Sequence, residues 1–222
     1  MRSVKRFGTK VGAAAVAAAM IPVVATGTAQ AQTQGSGTIN YKKATADEKV
    51  VETGLADGRL IVSVWSDAMQ QEVPNIVQKP LGGNGDANAP VLYLVNGAGG
   101  GEDSATWQAQ SDVKDFMGDK NAWTVTPIGG AFSYYTDWQK PDPNVQTRYA
   151  SDTHPMKFET YLAHELPNLF EGAYGGSTGG ERKRALAAIS MTATSVLTIA
   201  QKHPGRFQAI GSYSGCAETS TP

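Results

Sequence analysis

The tightest constraint on this chain is a junction near its C-terminal end. The apolar run Ala185–Ile189 passes through Ser190-Met191 straight into Thr192–Lys202, where Ala193, Val196, Leu197 and Ala200 recur at helical spacing and His203-Pro204-Gly205 supplies a stop. A buried strand that turns at once into an amphipathic helix is half of a βαβ unit. Further β-rich runs fall at Leu60–Trp65, Val91–Val95, Trp123–Ile128, Leu186–Ile189 and Phe207–Tyr213, with room for helices between them. A second helix is expected over Phe158–Phe170, with Phe158, Leu162, Leu166 and Phe170 on one stripe and Pro167 disturbing its last turn. The alternation predicts an α/β chain with a mostly parallel sheet covered by helices on both faces. At 222 residues, 41% hydrophobic and 18% charged, the chain can bury a sizeable core and is neither disordered nor collagen-like.

The N-terminus has to be set apart from that fold. Arg2, Lys5, Arg6 and Lys10 precede an uncharged run from Val11 to Ala25, and Ala29-Gln30-Ala31 is an A-x-A cleavage pattern. Residues 1–31 therefore read as a secretory signal peptide cut after Ala31, which places the mature protein outside the cell or in its envelope. A membrane anchor is disfavoured because the run is shorter than the roughly 20 residues that span a bilayer. Removing this segment takes four of the 19 basic residues and none of the 20 acidic ones, leaving a formal charge of −5. A mildly acidic surface does not recruit nucleic acid. Residues 32–50 read as a polar lead-in, and 51–222 as the domain. Cys216, the single cysteine, is expected to be either a small buried hydrophobe or half of a disulfide.

A strand-to-helix turn in such a sheet invites a search for a nucleophilic serine. Gly175-Gly176-Ser177-Thr178-Gly179 has the letters G-x-S-x-G, but no strand precedes it and Glu181-Arg182-Lys183-Arg184 follows, so Gly172–Gly180 reads as a loop. Leu81–Ala89 reads as another, joining two early strands. Gly211-Ser212-Tyr213-Ser214-Gly215 has tyrosine at its centre and reads as a strand end. Ser190 lacks the letters and has the context, with small residues at Ala188 and Ala193 where a folded-back chain needs them. The bland alternative is an ordinary turn with a serine N-cap. The strand Val91–Val95 also runs into Asn96-Gly97-Ala98-Gly99-Gly100-Gly101, where this architecture puts its second oxyanion-hole amide. A phosphate loop is the competing reading, and it lacks the G-K-[ST] ending.

Four ordered blocks then carry a resemblance. Val91–Trp107, Gly129–Trp138, Lys157–Pro167 and Ala188–Cys216 resemble the mycolyltransferases of the antigen 85 family, above all their corynebacterial branch. The resemblance implies an α/β-hydrolase fold and transfer of a mycoloyl group from trehalose monomycolate to a second trehalose monomycolate or to cell-wall arabinogalactan. It implies Ser190 as nucleophile, the backbone N–H groups of Met191 and Ala98 as the oxyanion hole, and Asn96 and Gly97 as substrate contacts. No metal and no cofactor is implied, and peripheral association with the mycolate envelope is.

The chain departs from the family pattern in ways that matter. Asn96-Gly97-Ala98-Gly99 stands where the mycobacterial proteins read D-G-L-R, which puts acceptor specificity in doubt. Asp137 and Trp138 match the family's S-D-W and are expected to be structural. The fold orders its triad Ser, Asp/Glu, His along the chain; His154, His164 and His203 do not correspond to the catalytic position, and Glu218 is too early for the acid. The expectation is therefore an α/β-hydrolase domain truncated after the strand that follows the nucleophile helix, and inactive in this form. A secreted carboxylesterase on the same scaffold and a non-catalytic envelope or adhesion protein remain the alternatives.

Overall fold

The computed structural model describes residues 40–81, 88–175 and 183–216. The signal segment, most of the lead-in, Ser177 and Glu218 lie outside the described residues. Seven strands form one sheet: β1 (Val50–Gly54), β2 (Leu60–Ser66), β3 (Gln71–Gln78), β4 (Val91–Val95), β5 (Trp123–Pro127), β6 (Arg184–Ile189) and β7 (Ala209–Tyr213). Their order across the sheet is β1-β2-β3-β5-β4-β6-β7. The β5-β4-β6-β7 half is parallel throughout, as expected of strands linked by helical crossovers. The β1-β2-β3 half is an antiparallel meander joined antiparallel to β5, so the sheet as a whole is mixed.

Residues alternate faces along each strand. Trp123 and Val125 meet one face's core, which also holds Val62, Val64, Val73, Tyr93, Leu186 and Val196. The helical stripe read from the sequence seals that face, since Phe158, Leu162, Leu166 and Phe170 are at most 1% exposed. Helix α5 (Met191–Lys202) lies on the same side through Val196 and Ile199. Between β4 and β5 run two short helices, α1 (Trp107–Gln110) and α2 (Val113–Met117). They sit on the other face, where Gln108 Nε2 donates to Thr126 Oγ1 at 2.7 Å.

The stripe-bearing helix is not regular. It comprises α3 (Phe158–Thr160), a π-helical turn Tyr161–Glu165, and α4 (Leu166–Tyr174). Pro167 has no N–H to give to the Ala163 carbonyl four residues back, so the turn widens there. The freed carbonyl accepts instead from Arg206 Nε, and the same guanidinium reaches Asn168 Oδ1 at 2.7 Å.

One boundary and one residue differ from the sequence reading. Residues 40–49 are part of the packed domain: Ala44 is 3% exposed and its N–H donates to Ser63 Oγ, while Tyr41 Oη donates to Glu72 Oε1. Ser63 points from β2 into a buried face and needs those polar neighbours, which polarity along residues 40–49 concealed. Cys216 is exposed and unbridged rather than buried. Among the described residues no helix is long and apolar enough to cross a membrane.

Candidate active site

The topology brings two loops together. β4 is flanked by β5 and β6, so the chain leaves its C-terminal end toward one neighbour and later returns on the other. Crevices at such reversals, outside the carboxyl ends of the strands, are where open α/β sheets bind ligands. The ladder between β4 and β6 ends at Val95↔Ala188. Immediately beyond it, a Cβ on Gly97 would stand 3.5 Å from Ser190 Cβ, so the glycine-rich loop and the serine junction are in van der Waals contact.

Ser190 adopts φ 61°, ψ −127°, a conformation that costs a non-glycine residue about 1–3 kcal/mol and persists only where the surroundings enforce it. They do so from three sides. Its N–H donates to Tyr213 O at 2.9 Å, its carbonyl accepts from Ala193 N at 3.0 Å, and Ser212 Oγ donates to Ala193 O at 2.9 Å. The turn after β7 presses on the same place: a Cβ on Gly215 would lie 2.8 Å from Ala193 Cβ. Ala188 and Ala193 are fully buried, which is the small-residue requirement read from the sequence. Ser190 makes no capping hydrogen bond, is exposed, and its Oγ has no partner among the described residues. Ser190 is therefore not an ordinary N-cap. Met191 opens α5, where first-turn N–H groups have no intrahelical acceptor.

The facing loop is braced rather than loose. Ala98 O accepts from Phe132 N at 2.8 Å, and the Ala98 N–H has no partner among the described residues. Gly100, at φ 60°, crosses Gly129 so closely that a Cβ would meet its carbonyl at 2.4 Å. Glu102 ties the loop outward by accepting from Ala131 N, Thr147 Oγ1 and Arg148 N. Asn96 does not join the exposed site as the sequence reading expected. It is 1% exposed, its Nδ2 donates to Pro127 O at 3.1 Å and its Oδ1 accepts from Trp107 N at 3.1 Å. A side chain at the end of a central strand must satisfy its neighbours' backbone before it can meet a ligand. Gly97 does line the contact with Ser190.

Aromatic and apolar side chains border these loops. Trp107 packs edge-on against Tyr213 with centroids 6.2 Å apart, while Tyr213, Phe132, Tyr134 and Ile189 are all exposed. Phe132, Tyr134 and Tyr135 each have positive φ, a concentration of backbone strain next to the loop that holds Ala98. Asp137 and Trp138 are structural here, as expected: Asp137 accepts from Thr160 N and Thr160 Oγ1, and Trp138 Nε1 donates to Ser133 O.

None of the three histidines stands at Ser190. His203 closes the far end of α5, thirteen residues away, about 20 Å along the axis. There its Nε2 bonds Glu159 Oε1 at 3.1 Å and its Nδ1 bonds His164 Nε2 at 3.2 Å, while Lys202 Nζ holds Glu159 Oε2 at 2.8 Å. Burial raises the Glu159 carboxyl, but the bonds from Lys202 and His203 outweigh it and leave the group below its usual range. Burial, then His203 and Arg206, lower His164. His154 lies in a separate pocket with Met69 and Gln70. Among the described residues no group of three or more His, Cys, Asp or Glu side chains converges to hold a metal.

A strained serine between a parallel strand and a helix, facing a glycine-rich loop on a sheet flanked by helices, gives the chain the architecture of an α/β-hydrolase. It matches the Esterase family over residues 66–222. The chain belongs to that family. It is 32% identical over 140 residues to the diacylglycerol acyltransferase/mycolyltransferase Ag85A of Mycobacterium leprae, covering 62% of this chain and 39% of that protein. It is 30% identical over 159 residues to the Ag85B protein of the same organism, covering 72% and 45%. The chain thus spans less than half the length of these relatives. Among solved structures it is similar to Mycobacterium tuberculosis MPT51, with TM-score 0.51, 22% identity and coverage of 70% and 48%. A ferulic acid esterase gives TM-score 0.50 at 20% identity, covering 78% and 62%, and both support the fold.

Proposed function

We propose that this is an exported serine acyltransferase of the mycolyl type, with Ser190 as nucleophile and the N–H groups of Ala98 and Met191 as oxyanion hole. The observation that carries the reading is the Ser190 backbone at φ 61°, held in contact with the glycine-rich loop. In the first half-reaction Ser190 Oγ attacks the ester carbonyl carbon of trehalose monomycolate as its proton leaves to a base. The two amides take the negative charge on the carbonyl oxygen. Collapse breaks the bond to the trehalose oxygen, which takes the proton and departs. The second half runs in reverse, with a hydroxyl of another trehalose monomycolate or of arabinogalactan attacking the acyl-serine. The base lies outside the described residues in this reading. Export and a peripheral place at the mycolate envelope go with these substrates. Support for transfer comes from the curated relatives, whose names are those of acyltransferases.

A second reading, hydrolysis by water as in a carboxylesterase, draws on the exposure of Ser190. The discriminating experiment uses the protein expressed from its own complete reading frame, with a trehalose ester as donor and free trehalose added. Acyl-Ser190 in the peptide map and diversion of most acyl groups from water to trehalose are expected. Release to water alone would replace transfer by hydrolysis. A Ser190 that never acylates would overturn both and leave a non-catalytic protein.

A further inference from the structure

Thr192 connects the two halves of the site. It is fully buried in the first turn of α5, and its Oγ1 lies 2.6 Å from Asn96 O and 2.9 Å from Ile189 O. Those carbonyls belong to the residues just past the last paired residue of β4 and at the end of β6. The β4–β6 ladder stops at Val95↔Ala188, so Thr192 carries the connection between the two chains one step beyond the point where the sheet's own hydrogen bonds end. A hydroxyl has a single proton to give, and the shorter contact is the one to Asn96.

We propose that Thr192 is a positioning residue that sets the distance between the nucleophile and the oxyanion loop. The Asn96 carbonyl belongs to the peptide that leads into Gly97, and Ala98 follows. Glycine places little restriction on its own backbone angles, so an untethered Asn96 carbonyl would let the Ala98 amide swing. The Asn96 side chain fixes the loop to Pro127 and Trp107, and Phe132 fixes the Ala98 carbonyl, but among the described residues the Asn96 carbonyl has no other donor than Thr192. Burial makes that bond matter more, since no water is at hand to replace it. This inference rests on the assignment of Ser190 and Ala98 above.

The test compares Thr192→Val, which keeps the shape and removes the donor, with Thr192→Ser, which keeps the donor and removes the methyl. Both are made in the protein expressed from its complete reading frame. A displacement of about 1 Å at a reacting group can cost about a hundredfold. T192V is therefore expected to lower kcat for ester turnover ten- to a hundredfold with KM within twofold, and T192S to stay within threefold of the parent. A T192V protein that folds and keeps its kcat, or a T192S protein that loses as much as T192V, would overturn the proposal, as would a loss confined to KM. Thr192→Ala repeats the test should T192V fail to fold, and failure of both to fold would show a purely structural residue and also overturn it. A Ser190→Ala control that retains activity would instead defeat the assignment of the nucleophile, so the two failures are distinguishable.

Discussion

Helix α5 has two ends of opposite character. Its N-terminal end holds a strained serine and, among the described residues, no titratable partner; its C-terminal end gathers Glu159, Lys202, His203 and His164 in a chain of contacts. Residue types alone would put the chemistry at the second end, where a carboxylate and an imidazole already meet. Backbone geometry puts it at the first. The cationic groups at the C-terminal end complement the helix dipole and tie α5 to α3, a packing task. In the proposed assignment the turn, not the residue types, marks the nucleophile, and an acid–histidine pair is catalytic only within reach of it.

The contrast can be broken most forcefully by mutation at the two ends. Ser190→Ala is expected to lower acyl turnover by several powers of ten, since no other group can carry the covalent intermediate. Ser214→Ala, His203→Gln and Glu159→Gln are expected to keep turnover per folded molecule within threefold. Steady-state rates normalised to folded protein check this, and loss of activity in H203Q would move the site to the other end of the helix.

A smaller effect is expected from Asn96→Asp, which restores the acid of the mycobacterial pattern. In this loop it would turn the donor facing Pro127 O into an acceptor, leaving two buried acceptors opposed. The expected cost is about 2 kcal/mol, read by urea unfolding at neutral pH. Unchanged stability with an altered KM for trehalose would return Asn96 to the role of sugar contact.

The smallest effect concerns acidification of the far end. His164 in the folded chain sits below its ordinary value of 6.5, so as pH falls through that value the unfolded chain takes up a proton that the folded chain does not. Stability is therefore lost on that descent. Glu159 adds a second loss as pH falls through its own lowered range. His164→Gln is expected to flatten the first part of this dependence by less than about 1 kcal/mol, since the imidazole is only partly shielded. Thermal midpoints of both proteins from pH 7.5 to 4 check it, and the pH profile of turnover is expected not to follow.

The same contrast explains what was legible beforehand. β2, β4, β5, β6 and both long helices were readable because burial sets their apolar pattern, and the largely exposed β7 was readable as the apolar run after the helix stop at His203-Pro204-Gly205. β3 was not readable, because its buried positions include Glu72 and Asn75 and it contains Pro74. The proline is tolerated because its nitrogen and carbonyl edge faces β5 just where the β3–β5 ladder has ended, beyond Asn75↔Pro127. β1 was not readable because it is an edge strand in which only Val51 is buried. The approach of the glycine-rich loop to the Ser190 turn was legible from context, whereas the inward turn of Asn96 and the reach of Thr192 were not. Both depend on where β4 and β6 end relative to each other, a register that one-dimensional spacing does not contain.

The Arg206 guanidinium inserted at the Pro167 kink has a consequence for the order of assembly. A helix normally completes its hydrogen bonds from within, at short sequence separation, and can form early. Here the Ala163 carbonyl waits for a donor 43 residues further along, supplied only when the segment leading into β7 has docked. The middle of the kinked helix is thus finished last although its apolar stripe lies in the core. Its amides should acquire protection from solvent exchange together with those of β7 rather than with the rest of the helix.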